Sequence, residues 1–347
     1  MLQMGRIILV PIEPLEERYS NQWLRWFKQE FDKQGLDYIV IAGEPLTDKI
    51  ETGAFLDVIG TNYYKATQLQ KLCKAIYTKE IKDGDTILML DGWFPGLEML
   101  AYIRDGMNLK IKICSCLHAG TYDPNDFLAK KCMWSWGKKL EESWFEIADK
   151  IFVATEYHRH LIQQMRKVDH RKIEVTGFPI MEEEINYNRK FNQHVVKENI
   201  IVFPHRLDEE KRPDLFERLK IELKTHPIFK DWEFLKTKDH CTSKIQYYLL
   251  LARSKIAISF AEQETWGIAI QEAVFNDCFP IVPDRLSYTE MYNDRFRYEN
   301  WSDLIDTLEE CVKDEVRAKD FLDMKRRELS CKGKQAIPNM IDIMKML

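Results

Sequence analysis

The sequence predicts an α/β protein built from two parallel sheets, and three observations carry that prediction. Short β-branched runs alternate with longer stretches whose apolar residues recur at helical intervals. The alternation occurs twice, on either side of a polar break. At 347 residues the chain is long enough for two domains that each bury a core. In the first half the runs are RIILVPI, DYIVIA, TILML, IKICSCL, KIFVAT and KIEVTG, and in the second IIVF, WEFLKT, IAISF and FPIVP. Runs this apolar suit parallel strands covered by helices on both faces. The expected organisation is two Rossmann-like domains facing across a cleft. The first covers residues 1–180, a polar linker 181–198, the second domain 199–325, and a helical segment 326–347.

Hydrophobic content of 45% and charged content of 31% fit an ordinary soluble globular chain. The net charge of −5 does not advertise nucleic-acid binding, so any such contact must rest on a local basic patch. Eight cysteines show neither a CxxC pair nor a cysteine/histidine metal pattern and read as reduced thiols, which points to the cytoplasm. The apolar run in MLQMGRIILVPIEP is too short for a signal peptide, and no run is long enough to cross a bilayer.

The most informative stretch is KIAISFAEQETWGIAIQEAVFNDCFPIVPDRLSYTE, from Lys255 to Glu290. Its apolar strand feeds a helix expected over Trp266 to Asn276. Thr265, Trp266 and Gly267 are expected in that helix's first turn, where free N–H groups and the positive dipole end attract an anion. Gly267 lets the backbone approach such a ligand closely. Glu264 and Glu272 lie two turns apart on roughly one side, and carboxylates there suit sugar hydroxyls better than phosphates. Upstream, NIIVFPHRLDEEKRPDLFERL offers a second strand end followed by Arg206 and Lys211, with Pro213 suited to the first position of a helix. Ligands of open α/β sheets bind at that carboxyl edge. Two cations and a helix N-terminus in one crevice neutralise a departing diphosphate, and the site reads as one for a nucleotide sugar.

These two segments resemble retaining GT-B glycosyltransferases of the large family-four group, across most of residues 199–292 and weakly in the N-terminal half. The resemblance implies that Glu264 contacts the donor sugar and Glu272 holds the ribose. The amides of Trp266, Gly267, Ile268 and Ala269 bind the diphosphate, which Arg206 and Lys211 clamp. A UDP-sugar is the favoured co-substrate. Two departures stand out: Trp266 where the family often has phenylalanine, and His205 where many members carry glycine. In the resembling fold the chain's last helix crosses back to brace the first domain. PHRLDEEKRPDLF and PIVPDRLSYTEMY also resemble enzymes that glycosylate queuosine in transfer RNA, and bacteriophage enzymes that glycosylate or arabinosylate hydroxymethylcytosine in DNA. By that analogy the acceptor is a modified base, with 5-hydroxymethylcytosine in DNA ahead of queuosine in tRNA.

In the first domain, His118 follows an apolar strand and is expected to reach the cleft, although a lone histidine is usually structural. The resembling enzymes often place a histidine beside the donor sugar. Asp91, in LMLDGWFPGLE, sits where a strand meets a Gly/Pro turn. It is a candidate to orient or deprotonate the acceptor hydroxyl, and equally an Asx turn with Gly92. Trp93 is placed to stack on a base or to cover the core. Arg18, Tyr19, Asn21 and Gln22 follow the first strand in a loop that lacks the usual glycine-rich turn; they are expected at the mouth of the cleft, against the acceptor.

Two basic clusters complete the reading. AKKCMWSWGKK interleaves Trp134 and Trp136 with four lysines, the mixture that grips single strands by charge and stacking. HRHLIQQMRKVDHRK carries Leu161, Ile162, Met165 and Val168 on one helical face, suited to phosphates, to an anionic membrane, or simply to packing on the sheet.

The expected reaction is front-face transfer with retention, because no carboxylate in the motif has a nucleophile's role. Arg206, Lys211 and the helix amides leave no need for a metal, and no DxD segment adjoins the motifs. Two alternatives stay open: transfer to a lipid or glycan at a membrane, and a non-catalytic nucleotide-binding module.

Overall fold

The computed structural model describes residues 5–15, 19–46 and 57–347, the side chains of Cys132 and Trp134 excepted. The chain divides into two compact units, one of Met1–Pro179 with Gln335–Leu347 and the other of Ile180–Lys334.

The first unit holds a six-stranded, wholly parallel sheet of β1 (Ile7–Val10), β2 (Tyr38–Val40), β3 (Thr86–Met89), β4 (Lys112–Cys116), β5 (Lys150–Val153) and β6 (Ile173–Val175), in the order β2-β1-β3-β4-β5-β6. All four residues of β1 and of β3 are buried, as expected for strands with helices on both faces. Five helices cover it: α1 (Tyr19–Lys33), α2 (Val58–Tyr77), α3 (Leu97–Gly106), α4 (Trp134–Ile147) and α5 (Glu156–Met165). Helix α1 buries Trp23, Trp26, Phe27 and Phe31, a spacing that fixes one face inward. Asp57 caps α2 by accepting from the Ile59 and Gly60 N–H groups at 3.0 and 2.9 Å. A short π-helical turn, Ala129–Met133, leads into α4.

The second unit opens with α6 (Glu182–Ile185) and α7 (Tyr187–Phe191), then β7 (Glu198–Phe203), α8 (Pro213–Leu223), β8 (Glu233–Lys236), α9 (Thr237–His240), α10 (Lys244–Arg253) and β9 (Ser254–Ile258). It continues through α11 (Ile268–Phe275), β10 (Phe279–Pro283), α12 (Tyr288–Met291), β11 (Arg297–Tyr298), α13 (Trp301–Lys313) and α14 (Glu315–Lys345). Its parallel sheet runs β11-β10-β9-β7-β8. In each unit the chain places its second strand on one side of the first and its third on the other. The reversal falls at β1/β3 in one sheet and at β7/β9 in the other, and a crevice opens at such a point beyond the strands' carboxyl ends.

All ten strands anticipated from the apolar runs form; β11, two residues long, was too short to read. Pro213 does stand at the first turn of α8. The polar stretch expected to be a linker over 181–198 instead folds as α6 and α7 and packs onto the second unit. Asn186 there donates to the Phe275 carbonyl, and the Tyr187 N–H donates to Asn276 Oδ1 at 2.9 Å. Tyr19, Asn21 and Gln22 belong to α1 rather than to a loop, because the buried aromatics behind them start the helix early. Arg18 lies outside the described residues. Among the described residues no helix is long and apolar enough to cross a membrane.

Candidate active site

At the β7/β9 reversal, two loops clasp each other. The Glu262 N–H donates to the Glu210 carbonyl at 2.8 Å, and Arg212 reaches Glu262 Oε1 at 2.6 Å. Between them the Lys211 ammonium, its side chain only 5% exposed, donates to the Gln263 carbonyl and lies 3.3 Å from Glu264 Oε2. Glu264 Oε1 accepts from the N–H groups of Thr265, Trp266 and Gly267 at 3.1, 3.3 and 2.8 Å. Burial alone would raise the Glu264 carboxyl, but the Lys211 ammonium, followed by the Gly267 amide and His205, outweighs it and holds the group down at about 2.

Two expectations change here. The helix starts at Ile268, so Thr265, Trp266 and Gly267 precede it rather than form its first turn; Gly267, at φ 65°, is its left-handed cap. A side chain at Gly267 would be strained at that φ and would stand 3.1 Å from the Tyr288 ring. Of the amides assigned to the diphosphate, those of Trp266 and Gly267 are taken by Glu264, whose side chain is long enough to fold back over the next three residues. Ile268 and Ala269 begin the helix, where N–H groups have no intrahelical acceptor, and they are the pair left to meet an anion.

The second change concerns Arg206. Rather than joining Lys211 on one partner, it folds onto its own loop, with Nε 2.7 Å from Asp208 Oδ2 and its other end on Glu210. Two acids within four residues of it supply closer partners than Glu264 does. Lys211 and Arg206 still share a neighbourhood. Both, with Glu264, act electrostatically on His205, a buried imidazole pushed down to about 3 by desolvation first and by Lys211 next. His205 Nε2 is buried without a partner. One turn along α11, buried Glu272 accepts from Lys244 Nζ at 2.6 Å and from the Tyr248 hydroxyl at 3.1 Å. Lys244 and Tyr248 were not legible as site residues, since one cation and one tyrosine on α10 look like any helix surface.

The β1/β3 reversal of the first unit carries a small hollow lined by Pro11, Glu13, Thr61, Lys65, Gln68 and Asp91 among others. Lys65, buried on α2, holds it together: its ammonium is 2.7 Å from Asp91 Oδ2 and donates to the Trp93 carbonyl at 2.6 Å. Asp91 Oδ1 accepts from the Trp93 N–H at 3.2 Å, so the Asx-type turn and a place in the hollow hold together. The Trp93 indole donates to Glu141 Oε1 at 3.0 Å, and Glu141 is locked in the interior by Arg166 Nε at 2.8 Å.

His118 is held differently from the expectation. Its Nε2 is 2.8 Å from the Leu90 carbonyl, which can only accept, so that nitrogen carries the proton and Nδ1 faces the Tyr19 hydroxyl at 3.5 Å. Trp23 and Phe178 pack on the ring at 4.9 and 4.8 Å, and burial lowers its basicity. Asn21 is exposed on α1. The second basic cluster is partly internal, with His160, Lys167, His170 and Arg171 exposed. His158 is fully buried against the Tyr122 hydroxyl at 2.6 Å, Arg166 pairs with Glu141, and the apolar face of α5 packs inward through Ile162 with Leu161 and Val168. Among the described residues no group of three or more His, Cys, Asp or Glu is arranged to hold a metal ion.

The fold has many solved counterparts. A glycosyltransferase from Rickettsia africae superposes with a TM-score of 0.61 at 14% identity, covering 99% of this chain and 98% of that one. Anabaena HepE, in complex with UDP and glucose, gives 0.60 at 9% identity, covering 99% and 100%. The sucrose-phosphate synthase of Thermosynechococcus elongatus gives 0.61 at 10%, covering 99% and 96%. The chain has the GT-B fold. By sequence, this GT-B chain is 26% identical over 158 residues to the tRNA-queuosine alpha-mannosyltransferase of Drosophila melanogaster. That match spans 38% of this chain and 42% of the relative. No protein-family model matches.

Proposed function

We propose that this GT-B protein is a retaining glycosyltransferase that moves a sugar from a nucleotide diphosphate to a modified base in nucleic acid. The observation that carries the reading is the meeting, at the β7/β9 reversal, of a buried ammonium, a carboxylate and the open start of α11. Glu272, a turn further on, gives the same crevice a second carboxylate for a ribose. UDP is the favoured nucleotide, in keeping with the UDP-bound counterpart.

In this reading the donor's diphosphate meets Lys211 and the N–H groups of Ile268 and Ala269, at the positive end of the helix. Glu264 turns from the amides it caps to the sugar hydroxyls, which frees the Trp266 and Gly267 N–H groups for the same anion. The acceptor oxygen bonds to the anomeric carbon on the face from which the diphosphate departs. The bond to the diphosphate breaks, and the acceptor's proton passes to the departing oxygen. Asp91, steadied by Lys65, orients the acceptor hydroxyl.

Of the two bases suggested by the sequence, the queuosine-type base of tRNA now takes precedence over 5-hydroxymethylcytosine, because the tRNA enzyme is a sequence match and none of the other relatives named above is a DNA-modifying enzyme by name. A lipid acceptor loses its main support, the amphipathic face of α5, which is packed inward. The test is to incubate the protein with a panel of nucleotide sugars and with queuosine-containing tRNA, hydroxymethylated DNA or lipid. A gain of one sugar mass on the tRNA is the expected result. Absence of both transfer and slow diphosphate release with every donor would overturn the reading.

A further inference from the structure

Beside the hollow of the first unit, the first basic cluster forms a surface with no internal task. Trp136 is 49% exposed, and its ring meets Trp93 edge-on at 6.5 Å. Trp93 is rigidly placed: its backbone N–H is on Asp91, its indole N–H on Glu141, and its ring edge-on to Trp144 at 5.3 Å. A chain of contacts thus runs from the acceptor-orienting carboxylate through a fixed tryptophan to an open one. Lys130, Lys131, Lys138 and Lys139 flank Trp136 in the sequence, all exposed and none ion-paired among the described residues. Three acids close by in the fold or the sequence are engaged elsewhere. Glu141 is interior with Arg166, Asp126 is buried and accepts from the Leu128 N–H, and Glu98 accepts from the Trp144 indole. Four exposed ammoniums within ten residues contrast with a chain whose net charge is −5.

We infer that Trp136 and these lysines hold the unpaired nucleotides flanking the acceptor base, one base stacked on Trp136 and the backbone phosphates on the ammoniums. The inference rests on the acceptor being a base in nucleic acid. Its chemistry is specific: an open indole face takes a nucleobase, and it needs one that is not already stacked in a duplex, while the lysines supply sequence-independent charge. An acidic peptide would satisfy the lysines and leave the indole without a planar partner.

The experiment compares the full-length protein with its Trp136→Ala, Trp136→Tyr and Lys138→Glu/Lys139→Glu variants. Fluorescence anisotropy measures binding of a labelled single-stranded RNA, the same-sequence DNA, a duplex, and a polyglutamate peptide. Trp136→Ala is expected to weaken single-strand binding about tenfold and Trp136→Tyr to restore most of it, with the lysine variant also flattening the salt dependence. The RNA and DNA arms show which strand is preferred. In the transfer assay the same variants raise KM for an oligonucleotide acceptor and leave KM and kcat for the isolated modified nucleoside unchanged. Equal binding by wild type and Trp136→Ala, or binding to polyglutamate alone, overturns the inference. Trp136-dependent binding without any transfer overturns the proposed acceptor and leaves the surface standing.

Discussion

The β7/β9 edge of the second unit and the β1/β3 edge of the first occupy the same topological position, yet they are built from different materials. At β7/β9 a buried ammonium and two carboxylates have partners within the unit, Lys211 in Gln263 and Glu264, Glu264 in three amides, and Glu272 in Lys244 and Tyr248, while the first N–H groups of α11 stay open. At β1/β3 a single cation, Lys65, ties a carboxylate to the turn that carries Trp93, and Glu13, Thr61, Tyr64, Gln68 and Phe94 are among the remaining walls. The first arrangement can exchange its internal partners for those of an anion at little electrostatic cost. The second has no surplus positive charge and suits a neutral hydroxyl attached to a planar group. One sheet topology therefore carries two different sets of polar groups, and the difference lies in a few side chains at loop ends.

The contrast breaks most severely at Lys211. Lys211→Met strands the Glu264 carboxylate in the interior and removes the charge under the diphosphate, so kcat for transfer should fall by about 100-fold. Arg206→Ala, whose guanidinium is already engaged by Asp208 and Glu210, should cost only about tenfold by the same assay. Equal losses for the two would show that the loop opens on donor binding and that both cations clamp. On the acceptor side, Asp91→Asn should lower kcat for transfer about tenfold while slow donor hydrolysis proceeds as before. A parallel drop in hydrolysis would place Asp91 in donor binding instead. Glu272→Gln should raise the donor KM roughly tenfold with little change in kcat, as expected for uniform binding.

The smallest effect is a pH dependence. The Glu264 carboxyl is depressed in the folded state to about 2, from an ordinary 4.5, so its contribution to stability is complete above about 4.5 and is lost as the pH falls toward 2. The Tm advantage of the wild type over Glu264→Gln should therefore be full at pH 7 and shrink between pH 4.5 and 2. A constant difference across that range would mean the ion pair with Lys211 adds nothing to stability.

The strands were legible because uninterrupted β-branched runs can be little else in a chain this rich in helical periodicity, and the gathering of Glu264, Gly267 and Glu272 about the start of α11 was legible because they keep a fixed spacing. What could not be read is who partners whom. Arg206 is drawn away by Asp208 and Glu210, neighbours whose rotamers no spacing reveals. Lys65 is one lysine in a long helix, and only the fold brings it to Asp91. Arg166 belonged to a basic, amphipathic stretch, and it proved to be paired in the interior with Glu141 under Trp93. The stretch read as a linker is polar, yet α6 and α7 bury Glu182, Ile185 and Tyr187 and anchor through Asn186 and Tyr187.

Helix α14 passes from one unit into the other, and its end supplies fully buried Ala336, Ile337, Met340 and Ile341 to the first unit's interior, where Met340 Sδ lies 3.9 Å from Cys116 Sγ. A ribosome making this chain therefore delivers the opening sheet early and its last hydrophobic wedge late. Nascent Met1–Pro179 must wait with an open seam while Ile180–Lys334 matures, which makes the interval of translation, rather than the finished protein, the time at which aggregation or chaperone capture is most to be expected.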